Sequence, residues 1–419
     1  MGGVETYLNT IIPELSRAGH DLAFWSEVDV PADRSRIELP LQAPAWCVAE
    51  LGREAALAGL RAWRPDVIYS HKLSDPDIER AVLSVAPSVF FAHDYNGTCI
   101  SGTKTFRFPI AQPCNRRFGL ACLAHYFPHR CGGLSPITMF RLYNLQSKRQ
   151  ENLHRYDAIV THSDHMLAEL IKHGLSPRRA YSFPYYVQPA PFEETAATMT
   201  AAAMVTAAAD SVVPPEVQPA QATDGNRKRG SESALQLLFS GRMEYLKGGH
   251  VFIDALPEVS AVLNRPIQVT FAGDGRERQA LQRRAAMVSN DRLSIAFAGW
   301  VDRPSIEDLL KNCDLLVVPS LWPEPFGLVG PEAGHFGVPV AAFDVGGIHD
   351  WLLDGVNGYL ASGSPPTAGG LARAIIKCLS DPVTHARLRA GAVQVSQQFN
   401  IRNHLAALLD VFSNVTNRQ

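Results

Sequence analysis

A chain of 419 residues is longer than one hydrophobic core ordinarily supports, so two domains are expected. Apolar residues at 46% and charged residues at 19% give a soluble globular balance, and a net charge of −2 from 39 basic and 41 acidic side chains argues against nucleic acid as a partner. No apolar run approaches the ~20 residues of a membrane span, and Glu5, Glu14, Arg17, Asp21 and Glu27 break up the region where a signal peptide would need an apolar core, which predicts a cytoplasmic protein.

The chain opens with Gly2-Gly3 running into an amphipathic pattern, Tyr7, Leu8, Ile11, Ile12 and Leu15, which predicts a helix stopped at Gly19 and followed by a strand over 22–25. A helix over 49–63, a proline-bounded β-branched strand over 64–71, a helix over 77–85 and a strand over 88–92 ending at His93-Asp94 come next. Repeated βα units argue for a parallel sheet.

Residues 95–136 read as a long irregular stretch, rich in Cys, Pro, Gly and Arg, and loops of this length are usually functional or mobile. Arg107, Arg116, Arg117, His129 and Arg130 make it basic, which would suit a phosphate-bearing or lipid-linked acceptor at a membrane surface. Cys99, Cys114, Cys122 and Cys131 fall near His93 and His125, so a structural zinc is conceivable. However, no Cys-x-x-Cys pair occurs and the spacings match no usual zinc pattern, so ordinary thiols are the favoured reading. Seven cysteines in all do not suggest a disulfide scaffold in a chain this long.

A helix over 137–155, a strand over 157–161, a helix over 166–173 capped by Ser163 and a strand over 180–183 complete a first domain at 1–187. Residues 188–234 are mostly Ala and Thr, then Pro and Gly, and predict a disordered insertion. A second domain, 235–399, opens with a strand over 235–239 and the loop Gly241-Arg242-Met243-Glu244-Tyr245-Leu246-Lys247-Gly248-Gly249 ahead of a helix. Glycines permit a tight turn there, and two cations near a helix N-terminus suit a diphosphate, Arg242 bidentately and Lys247 as a point charge. Further βα units follow, with a strand over 267–272, a helix over 276–287, a strand over 293–297 and a helix over 306–310.

The apolar run 314–318 then hands over to Pro323-Glu324-Pro325-Phe326-Gly327-Leu328 and Glu332-Ala333, before a strand over 338–343. In a doubly wound sheet a strand-to-helix handover is where ligands bind. Glu324 and Glu332 can accept hydrogen bonds from vicinal hydroxyls, while the backbone N–H groups of Phe326, Gly327 and Leu328 suit an anion. Together they point to a ligand both polyhydroxylated and anionic, a sugar nucleotide. A turn over 351–358, helices over 371–379 and 383–399 and an amphipathic segment over 404–412 complete the chain, with 400–419 read as a terminal helix.

The glutamate turn, with the Arg242 and Lys247 loop about 80 residues ahead of it, resembles the signature of the family-4 retaining glycosyltransferases. That resemblance implies the GT-B fold, an α/β architecture of two Rossmann-like domains facing across a cleft. It also implies transfer of a sugar from a nucleotide diphosphate sugar to a saccharide or lipid-linked acceptor with retention, and no metal requirement. It places His93 against the sugar from the opposite domain as a catalytic candidate with Glu324, and Asp94 and the Gly2-Gly3 loop near the acceptor or reaction centre. Arg242, Lys247, Phe326, Gly327, Leu328 and Glu332 fall to the donor. Backbone near Trp300 would receive the nucleobase, and the last helix would cross back to the first domain. In the family a strand precedes the Gly-Gly loop. None stands before Gly2 in this sequence, so an upstream start and a truncated chain are both open, and a catalytically dead sugar-nucleotide binder is the alternative function. A phosphorylase-like or epimerase reaction on the same fold is a further one.

Overall fold

The computed structural model describes residues 3–28, 37–187 and 233–417. Gly2 and almost all of the Ala/Thr/Pro-rich insertion therefore lie outside the described residues. In the first half, β1 (Phe24–Ser26) and β2 (Ala45–Cys47) pair in parallel. They are followed by β3 (Ile68–Ser70), β4 (Ser88–Phe91), the short antiparallel pair β5 (Thr105–Phe106) and β6 (Gln112–Pro113), then β7 (Ala158–Thr161) and β8 (Ala180–Ser182). Strands β3-β4-β7-β8 form one parallel sheet in that order. The opening strand that the resemblance implies is not among the described residues, and the β1–β2 pair and the four-stranded sheet stand apart there.

Three details differ from the sequence expectation. The helix expected over 49–63 is two, Val48–Leu51 and Arg53–Trp63, because Gly52 at φ +80° interrupts the helical backbone between them. Strand β2 was not expected; it is three residues long, and no alternation of apolar and polar side chains marks it. Residues 95–136 are not a structureless loop. They hold the β5–β6 pair, a helix Ala121–Tyr126 and a small core of Ile100, Phe118, Tyr126 and Cys131, closed by Met139 of the helix that follows, Pro136–Leu153.

The second half is a single parallel sheet. Strands β9 (Leu235–Ser240), β10 (Ile267–Ala272), β11 (Leu293–Gly299), β12 (Leu315–Val318), β13 (Val340–Asp344) and β14 (Gly358–Ser362) lie in the order β11-β10-β9-β12-β13-β14. Every residue of β12 is buried, as a strand covered by helices on both faces must be, which is why it reads as an uninterrupted apolar run. Strand β14 follows the turn over 351–358 and had no expectation attached to it. The winding reverses between β9 and β12, so a crevice opens at their C-terminal ends, where the two glycine-bearing motif loops emerge.

One apolar core runs through both halves, from Tyr7, Phe91 and Tyr185 to Phe326 and Phe399. The last helix, Ile401–Thr416, packs against the first half. His404 shares a hydrogen bond with the Tyr7 hydroxyl at 2.9 Å and another with the Pro184 carbonyl at 2.9 Å. Polar contacts join the halves as well: the Tyr95 hydroxyl donates to the Pro323 carbonyl at 2.9 Å, the Ser163 hydroxyl to the Pro325 carbonyl, and the Asp164 N–H to the Asp350 carboxylate at 2.8 Å.

Candidate active site

The two motif loops are held against each other by backbone. Gly248, at φ +70°, lies so close to the Pro319 carbonyl that a Cβ would overlap it, and the Leu321 N–H donates to the Leu246 carbonyl at 2.8 Å. Lys247 is thereby carried to the glutamate turn, its Nζ 2.6 Å from Glu324 Oε1. Glu324 is buried, and the Ser320 hydroxyl also donates to Oε1, which leaves Oε2 without a hydrogen bond among the described residues. On the other side Gly346, at φ +64°, comes so close to the Glu324 backbone that a side chain there would collide with it, and Gly347 donates to the Glu324 carbonyl at 2.7 Å. The carboxylate therefore has a fixed backbone on both flanks.

Behind it, the Phe326 carbonyl accepts from Trp351 Nε1 at 2.6 Å, and Gly327 takes φ +94° to turn the chain into the helix Val329–His335. The N–H groups of Phe326, Gly327 and Leu328 donate to no other protein group among the described residues, so they are the orphan donors expected at a helix start. Arg242 follows β9 on the same loop as Lys247; it is exposed and has no ion-pair partner among the described residues. Trp322 has a buried indole N–H with no partner among the described residues, and its ring lies 5.5 Å from Lys247 Nζ. Its position one residue before Pro323 gave no sequence signal for this.

Glu332 lies on the helix Val329–His335, and burial raises its carboxyl above the usual range, an effect Arg303 opposes. Arg303 Nη1 donates to Glu332 at 3.1 Å while its Nε donates to Glu307 at 2.8 Å. Sequence reading missed this arginine, which opens the helix Arg303–Lys311 behind the N-cap Asp302. Trp300, expected beside a nucleobase, is an exposed side chain just past β11.

His93 sits just past the end of β4 in a box of aromatic rings. Phe91 is 4.3 Å away, Tyr7 5.9 Å and His162 6.0 Å, centroid to centroid. Burial lowers its pKa to about 4, a shift that Asp94 opposes, so the ring is neutral at pH 7. Its Nε2 is 2.9 Å from Nδ1 of His71, a residue that sequence reading placed only at a strand end. His71 Nε2 is buried without a partner among the described residues. If His93 donated, His71 would carry that proton demand onto an orphaned buried N–H; if His71 donates, only an unpaired acceptor remains. The network therefore favours His71 as donor, with the His93 proton on Nδ1. Asp94 accepts from Lys72 Nζ at 3.0 Å and from the Asn96 N–H at 2.9 Å. Gly3 opens the first helix, Gly3–Arg17, whose Tyr7 reaches this box.

The four cysteines Cys99, Cys114, Cys122 and Cys131 line a cavity of about 20 Å³ together with His125. All are free thiols, and burial pushes Cys131 up to about 12. Among the described residues no three His, Cys, Asp or Glu side chains are arranged to hold a metal ion.

Two family models match the chain. Glycosyltransferase Family 4 covers residues 1–187 and glycosyl transferases group 1 covers residues 223–395. Among curated proteins, it is 36% identical to a D-inositol 3-phosphate glycosyltransferase from Xylanimonas cellulosilytica over 50% of each chain. It is 32% identical to a glycogen synthase from Mycobacterium tuberculosis over 44% of each. The match spans about half the length of these relatives. The fold is similar to a sucrose-phosphate synthase from Thermosynechococcus elongatus, with TM-score 0.67 and 18% identity over 100% of this chain and 94% of that one. It is also similar to Anabaena HepE, solved with UDP and glucose, with TM-score 0.61 and 19% identity over 99% and 96%.

Proposed function

The chain belongs to glycosyltransferase family 4, in the GT-B fold, and from that premise we propose that it moves a sugar from a nucleotide diphosphate donor to a saccharide or lipid-linked acceptor with retention of configuration. The observation that carries this reading is the meeting of Lys247 with Glu324 at the point where the second sheet reverses its winding. A cation and a carboxylate in one crevice match the two faces of a sugar nucleotide. HepE bound to UDP-glucose adds a fold neighbour with such a donor.

The chemistry asks for stabilisation of a departing diphosphate and of a sugar with oxocarbenium character. In this proposal Lys247 and Arg242 meet the diphosphate with the free N–H groups at Phe326, Gly327 and Leu328, so the grip needs no metal. As the donor enters, Lys247 exchanges part of its bond to Glu324 for phosphate, and Glu324 turns its freed oxygen to the sugar hydroxyls. Glu332, oriented by Arg303, receives the ribose hydroxyls. Neutral His93 faces the sugar from the first half with its Nδ1–H, and Asp94 and Gly3 lie on the acceptor side.

A thermal-shift screen against a panel of nucleotide sugars tests the reading, since a ligand that binds only the folded state raises its melting temperature by mass action. One donor is expected to stabilise the wild type and not Lys247→Ala. Stabilisation by no member of the panel overturns the proposal. A donor that binds but is neither transferred nor hydrolysed would instead mark a sugar-nucleotide binder without turnover. Proton NMR of the first-formed product reads retention directly from its anomeric coupling.

A further inference from the structure

The segment between Asp94 and Glu151 takes no part in the donor grip, yet its composition is the most biased of any stretch with described structure. It carries eight Lys and Arg residues and not one Asp or Glu, in a chain whose total charge is −2. Three of the eight are occupied. Lys104 is buried against Glu169, Lys148 pairs with Asp77 at 2.8 Å, and Arg149 donates to Asn96 and to the Ser74 carbonyl. The other five, Arg107, Arg116, Arg117, Arg130 and Arg141, are exposed, and among the described residues none has an acidic partner.

The same segment exposes large apolar side chains. Seven of the nineteen such side chains on the described surface fall within residues 108–140. Phe108 and Ile110 stand at the turn between β5 and β6, and Ile137 and Phe140 on the first turns of the helix Pro136–Leu153. They are not a poorly closed core: Met139, between the latter two, points inward into the small core with Ile100, Phe118, Tyr126 and Cys131. Ile137 and Phe140 are three residues apart and so share one helix face. The Arg130 guanidinium lies 4.6 Å from the Phe108 ring centre, so cation and apolar group occupy the same spot.

We propose that this segment is a docking surface for an anionic lipid bilayer. Phe108, Ile110, Ile137 and Phe140 enter the boundary between headgroups and acyl chains, and the exposed arginines meet lipid phosphates. Unpaired cations without a single carboxylate between them match the negative potential of such a surface. Apolar groups carried on a hairpin turn and a helix start, rather than lining a groove, suit a fluid partner better than a shaped one. The chain leaves the first sheet at His93-Asp94 to form this segment, so docking brings that end of the sheet towards the membrane. The proposal goes beyond the transfer reaction and does not depend on it.

Vesicle flotation tests it, using vesicles of phosphatidylglycerol mixed with phosphatidylcholine against phosphatidylcholine alone. The full chain is expected to float with the anionic vesicles, and much less in high salt. Phe108→Ser with Ile110→Ser should lower partitioning at least tenfold, and Arg107→Gln or Arg130→Gln roughly fivefold each. Circular dichroism and melting temperature should stay unchanged, and nucleotide-sugar binding by calorimetry should be unaffected, which separates this surface from the donor site. The proposal fails if the wild type stays in solution with anionic vesicles, or if the substituted chains float as well as it does. It fails also if light scattering shows a dimer that the same substitutions dissolve, because a second copy would then be the occupant.

Discussion

At the scale of single residues, Lys247 has the most to decide. A hydrogen bond involving a charged group contributes about 1.5–3 kcal/mol, so Lys247→Ala should weaken donor binding roughly ten- to hundredfold by calorimetry. Unchanged affinity would remove the phosphate role. Glu324→Gln keeps the shape of the turn and gives up the charge, so it should lower turnover far more than donor affinity. The histidines make a separate prediction. Burial lowers His93, His165 and His404 to about 4 and holds His71 and His162 well below their ordinary value. Unfolding then takes up protons wherever the pH lies between these folded values and the unfolded value of about 6.5. Stability is fully present above that unfolded value and is lost as pH falls towards 4, by about 1.4 kcal/mol per pH unit for each histidine. Urea unfolding at pH 7 and pH 5 should therefore differ by at least ~2 kcal/mol, and equal midpoints would mean that the rings already carry charge in the fold.

At the scale of elements, the site depends on two loops being pinned together. Gly248→Ala sets a Cβ against the Pro319 carbonyl and also forces φ +70° on a residue that resists it. The loops must part, so donor binding should fall along with stability. Gly19→Ala is the matched control: its φ is +88°, but nothing stands within 4 Å of the new methyl. It should cost only about 1 kcal/mol and leave donor binding alone. Equal effects of the two substitutions on donor affinity would show that the pinning does not matter. Residues 95–136 teach a different lesson at this scale. Strands of two residues and a helix of six leave no periodicity long enough to read, so the segment looked irregular although a small core organises it.

At the scale of the molecule, the last helix and the glutamate turn tie the halves together. His404 bridges Tyr7 and the Pro184 carbonyl from a helix that follows the second sheet, so His404→Ala opens a cavity and takes one hydrogen-bond partner from the buried Tyr7 hydroxyl, the Tyr69 hydroxyl remaining at 2.7 Å. A loss of about 2–4 kcal/mol is expected from chemical denaturation. A loss under 1 kcal/mol would mean that the helix is not needed to hold the first half. Tyr95 and Ser163 both donate to carbonyls of the loop that carries Glu324, so the position of the carboxylate depends on how the halves close. Tyr95→Phe is expected to change turnover without abolishing donor binding.

The sequence by itself determined most of the second half. Its central strands β12 and β13 are buried along almost their whole length and appear as unbroken apolar runs such as Leu315–Val318, and its glycines stand where the chain must turn, so Lys247, Glu324 and Glu332 could be singled out without coordinates. Pairings remote in the chain were decided only by the tertiary structure. Lys247 meets Glu324 across 77 positions, Arg303 meets Glu332 across 29, and His71 meets His93 from the neighbouring strand. The physical reason is that local patterns record which face of an element is covered, whereas the partner of a polar side chain depends on sheet order and on how closely two backbones approach. A periodicity cannot encode either.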